Sequence, residues 1–102
     1  MSRLESITHA LKVAYEAVQA HDKMPVTVIK PIVITKDGEF GCKLAAIEPD
    51  DSDVALSSLA ETWTDFAYRG GVTTPILAVG VRSIRPDTAG GHTHIVHFDS
   101  PI

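Results

Sequence analysis

The chain predicts an α+β fold: a two-layer sandwich in α-β-β-α-β-β order, with two helices on one face of a four-stranded antiparallel sheet. Three observations carry this. Apolar residues recur at steps of three and four within residues 4–18 and 56–67, which is the helical period. Runs rich in Val, Ile and Thr, separated by turn residues, form two hairpins. A length of 102 residues, with 44% hydrophobic and 22% charged side chains, suits a single domain over residues 1–102 with one core and no separate ligand domain.

The first helix starts at about residue 3, where Ser2-Arg3-Leu4-Glu5 has the spacing of a capping box. Leu4, Ile7, Leu11, Ala14 and Val18 form its apolar stripe, and Pro25 ends it. His9 and His21 fall outside the stripe and are expected in solvent. Residues 26–36 and 39–47 are expected to pair as strands around an Asp37-Gly38 turn, with Lys36 opposite Glu39 and Val33 opposite Cys42. That register puts Val26, Val28, Ile32, Ile34, Ala45 and Ile47 on one face, and Ile29, Val33, Phe40 and Leu44 on the other. Both faces are apolar, so both should be covered. Pro31 cannot donate to a ladder and points to an edge or a bulge. Cys42 has no partner for an internal disulfide and reads as a buried structural thiol.

Glu48-Pro49-Asp50-Asp51-Ser52-Asp53 lies where a helix begins, so its carboxylates suit the positive end of the helix dipole, with Asp51 or Ser52 as the cap. Leu56, Leu59, Ala60, Trp63, Phe66 and Ala67 form the second stripe, and Gly70-Gly71 closes it. A third strand over residues 73–85, a turn at 86–91 and a last strand over 92–98 complete the order. Transferring the first strand of a ferredoxin-like β-α-β-β-α-β domain to its end gives the same sequence of elements. The competing arrangement is a plain antiparallel sheet with a different strand order.

The concentrated chemistry lies in Gly90-Gly91-His92-Thr93-His94-Ile95-Val96-His97. Strand alternation places His92 and His94 on one face and His97 on the other. His92 and His94 are the candidate ligands for a divalent transition metal, with Glu39, Asp99, His21 or a second subunit completing the set. A structural reading in which the histidines occupy a polar edge or subunit contact is preferred. His92, His94 and His97, together with Tyr68 and Arg69 at the end of the second helix, are candidates to line a ligand cleft. Histidine also suits acid–base catalysis, with Asp99 as an orienting carboxylate.

Net charge is −4 and the cations are scattered, which disfavours nucleic acid as a partner. No apolar run approaches the roughly 20 residues of a membrane span, and the start lacks the pattern of a secretory signal. The expected role is a small cytoplasmic binding or interaction protein, with no cofactor, that self-associates through an apolar sheet face, most simply as a dimer. The alternatives are a small enzyme, metal-assisted or not, that uses His92, His94 or His97, and an acidic inhibitor or accessory factor presenting Asp50, Asp51 and Asp53 to a protein partner.

Overall fold

The computed structural model describes residues 2–22, 25–41, 43–69, 75–85 and 91–102; of residues 62–69 it describes the backbone alone. The elements are α1 (Arg3–Asp22), β1 (Val28–Thr35), β2 (Gly38–Gly41), β3 (Ala45–Ala46), a 3₁₀ turn (Pro49–Asp51), α2 (Ser52–Arg69), β4 (Ile76–Ser83) and β5 (Thr93–His97). The fold is α+β, with an antiparallel sheet as expected.

Ser2 caps α1 by accepting the Glu5 N–H at 3.1 Å, and its hydroxyl donates to the Glu5 carboxylate at 3.2 Å. The stripe Ile7, Leu11, Ala14 and Val18 is fully buried. It packs with Leu56 and Ala60 of α2 over Ile29, Val79 and Val81 of the sheet, so both helices share one face. The 3₁₀ turn over Pro49–Asp51, with Glu48 at its N-cap and no side-chain cap bond there, runs straight into α2. The Asp51 N–H donates to the Glu48 carbonyl at 2.9 Å.

Sheet order is β2-β1-β4-β5, with β3 beside β2 along the same edge of β1. A permuted ferredoxin-like domain would place its second and fourth strands in the centre. Here the first strands of the two hairpins, β1 and β4, are central and pair antiparallel, which is the competing arrangement.

The first hairpin is also shifted from its expected register. Thr35 pairs with Gly38 and Val33 with Phe40, so the turn residues are Lys36 and Asp37. Thr35 Oγ1 accepts the Asp37 N–H at 3.1 Å, and Gly38, at φ +131°, absorbs the backbone strain just after the turn. Further along, Ile32 faces Gly41 but Ile29 faces Ala45, so the return strand carries one extra residue between them. Cys42, in that stretch, lies outside the described residues.

This bulge explains Pro31. Val28 accepts from Ile84 on the β4 side and Thr27 accepts from Ile47 on the other, so odd-numbered residues of β1 direct their N–H groups toward β2 and β3. Pro31, buried in a central strand, thus places its missing donor opposite the break in the ladder.

The same registers sort the two faces. Ile29, Pro31, Val33, Val79, Val81, His94 and Val96 face the helices. Val28, Ile32, Ile34, Ala78, Gly80 and Ile95 lie on the opposite face, which is open among the described residues, with Lys30 and Arg82 at one end and Glu39 and His97 at the other. Val26 and Ile47, expected on the open face, belong instead to the core beneath the helices. They lie outside the strands, where alternation no longer governs direction.

Candidate functional site

The densest polar cluster forms where the end of α1 meets the base of the β4–β5 hairpin. Asp22 occupies the last position of α1, where the helix dipole disfavours a carboxylate, so a cation is needed beside it. Arg85 supplies one. Its Nε donates to Asp22 Oδ2 at 3.1 Å, and its Nη2 approaches the Asp22 carbonyl at 3.5 Å, capping the helix end as well. His21 Nδ1 lies 3.3 Å from the other carboxylate oxygen.

Ser83, at the end of β4, is fully buried. It hydrogen-bonds the Asp22 carboxylate and accepts the His92 N–H at 2.9 Å. Burial opposes ionisation of Asp22, but the hydrogen bonds from Ser83, His21 and Arg85, with the Arg85 charge, prevail and hold its carboxyl below the usual aspartate range. Gly91 closes the cluster: a Cβ there would overlap the Ser83 carbonyl.

His92 stacks on His21, with ring centroids 3.8 Å apart and planes 9° from parallel. His21 is thus engaged by its neighbour on the hairpin although 60% of its side chain is exposed. Parallel rings direct their nitrogens alongside one another and do not converge on a point between them. His94 faces the helices opposite Val81, and His97 is exposed on the open face opposite Ala78. The three histidines of the last strand therefore do not meet. Among the described residues, no three His, Cys, Asp or Glu side chains gather as a metal site. The side chains of Tyr68 and Arg69 lie outside the described residues.

Space beside the cluster is small. A cavity of about 60 Å³ is lined by Pro25, Val26, Thr27, Ser83, Ile84 and Arg85. At about 30 Å³ per water it accommodates a pair of waters, well short of a ligand pocket. A wider groove of about 360 Å³ runs between the helices past Thr8, Lys12 and Glu61, and it is open to solvent.

Chemically, the cluster is a clasp. It fastens the last turn of α1 to the hairpin through one ion pair, one buried hydroxyl and one ring stack. Sequence reasoning missed it because Asp22 and Arg85 are 63 positions apart. The signal that could have found it is the carboxylate at a helix C-terminus.

No protein family, curated protein or solved structure matches the chain. Among the described residues, no helix is long and apolar enough to cross a membrane.

Proposed function

We propose that the protein is a small cytoplasmic binding and interaction protein that self-associates through the open face of its sheet. The observation that carries this reading is the one-sided layering: both helices pack on one face, leaving Val28, Ile32, Ile34 and Ile95 on the other. Ile32 is already 4% exposed, so the gain on association comes from the half-buried Val28, Ile34 and Ile95. A second copy is the occupant that the charge pattern favours. Lys30 and Arg82 lie at one end and Glu39 at the other, and a two-fold axis in the sheet plane, across the strands, brings unlike ends toward each other.

Strands of eight, four, two, eight and five residues, at about 3.4 Å per residue and about 4.8 Å apart, span roughly 440 Å². That is below the roughly 800 Å² per partner of a standard stable interface, so the contact is weak and concentration-dependent. Sedimentation velocity over micromolar concentrations tests the reading. Replacing Ile34 by Glu should weaken association by about tenfold or more, since it places a charge in an apolar contact. Val54→Glu, at a position 68% exposed on α2, should leave it unchanged. A wild-type monomer at high micromolar concentration, or equal effects of the two substitutions, would overturn it.

A further inference from the structure

The free edge of the sheet has its own pattern. Ser83 N–H donates to the His92 carbonyl and Phe98 N–H to the Leu77 carbonyl, so even-numbered residues of the last strand direct their backbone groups inward to β4. Thr93, Ile95 and His97 consequently direct theirs outward, and among the described residues β5 is the last strand of the sheet. The opposite edge is broken by the bulge between Gly41 and Ala45, a common defence against edge pairing. Residues 93–97 contain no Pro, Lys, Gly or bulge.

The outward groups are symmetric about Ile95. An antiparallel partner of the same sequence, centred there, sets Ile95 opposite its counterpart and Thr93 opposite the second copy's residue 97. All three outward N–H groups and all three outward carbonyls then find partners.

The helix layer fits the same operation. α1 packs against β4, β5 and α2. Leu4, Thr8 and Lys12 line the groove toward α2. At 100° per residue, Ser6, Val13, Ala17 and Ala20 fall on the flank opposite that groove; Val13 there is 36% exposed. With strands about 4.8 Å apart, a helix over the β4–β5 seam stands about 4.8 Å from a two-fold axis beside β5. Two such helices are then about 9.6 Å apart, within the 8–10 Å of close helix packing, which small side chains permit.

We propose that a second copy of this chain docks along β5, joining the two sheets edge to edge through Thr93, Ile95 and His97 and packing α1 against its mate along Val13, Ala17 and Ala20. This axis is perpendicular to the sheet, whereas the face contact needs one within its plane. The two contacts use different axes, although Ile95 takes part in both, and together they close a tetramer.

A pair of double variants tests the register, because residue 93 of one copy faces residue 97 of the other. T93E/H97E sets like charges opposite each other and should weaken self-association by about tenfold or more. T93E/H97K sets unlike charges there and should stay within about threefold of wild type. Sedimentation equilibrium reads the association, and thermal melts confirm that both variants fold. In a Cys42→Ser background, Ile95→Cys should give an oxidised dimer and Val96→Cys should not. Equal behaviour of the two charge variants, crosslinking at both cysteines or at neither, or a wild type that stays monomeric at high micromolar concentration overturns the proposal. Repeating the charge contrast with Ile34→Glu separates the contacts: loss of the face contact leaves the contrast intact, and failure of the edge contact abolishes it.

Discussion

At the scale of single residues, Val26 shows how a connection can be held without a regular element. The Tyr15 hydroxyl donates to its carbonyl at 2.8 Å, and Gln19 Oε1 accepts its N–H at 2.7 Å. Both backbone groups of a buried residue are thereby satisfied by side chains one turn apart on α1. Tyr15→Phe keeps the ring but strands the carbonyl, and should cost about 1–2 kcal/mol in urea unfolding. Burial also raises the Tyr15 pKa, so its neutral, donating form persists through the neutral range. Asp22 behaves oppositely. Its carboxyl is held below the ordinary value of 3.8, so the stability it confers is complete above that value and is lost as pH falls toward its folded-state value. Asp22→Asn should cost about 2–3 kcal/mol at neutral pH by leaving the Arg85 charge, 17% exposed, without its counterion. It should also flatten the acid limb of the stability curve, measured by chemical denaturation between mildly and strongly acidic buffers.

At the scale of elements, interruptions decide where side chains point. The break between β2 and β3 accommodates Pro31 and reverses the alternation, so that Phe40 and Ala45, five positions apart, both pair with helix-facing residues of β1. Unbroken alternation would have put them on opposite faces. The β4–β5 hairpin is closed differently. Ser83 and His92 bond through backbone and hydroxyl, and Gly91 passes close against the Ser83 carbonyl. Gly91→Ala must displace the backbone, and a loss above about 3 kcal/mol is expected in thermal or urea unfolding. The His21–His92 stack should loosen in the same variant, read as a change in the imidazole proton shifts.

At the scale of the whole molecule, one-sided layering sets the surface chemistry. The open face is narrow and closely filled: a Cβ on Gly80 would meet the His94 carbonyl oxygen at 2.7 Å, and Ile95 lies across the same glycine. Ile32 and Ala78, near its centre, are 4% and 0% exposed in the single chain. The proposed face contact would pair a basic end with an acidic one, so its strength should fall as salt rises from about 0.05 to 0.5 M, through screening of exposed charges. The edge contact, made of backbone hydrogen bonds and small apolar side chains, should respond little. Sedimentation of the Ile34→Glu and T93E/H97E variants across that range distinguishes the two.

The sequence by itself determined the class of fold, the stripe of the first helix, Leu56 and Ala60 of the second, the strand segments apart from the break that divides 39–47, and the sorting of the final histidines into His92 and His94 against His97; Trp63, Phe66 and Ala67 lie outside the described side chains. The features so determined are properties of local periodicity, and the 3.6-residue and two-residue repeats survive folding. Only the tertiary structure decided the strand order, the hairpin register and the clasp. Order depends on which strands meet after the helical crossover. Register shifted because Thr35 and Gly38 resolve the turn together, and a single added residue on the return strand reversed its faces. The clasp joins a helix end to a hairpin base across most of the chain, and the histidine that completes it, His21, carries no apolar neighbour pattern to announce its contact with His92.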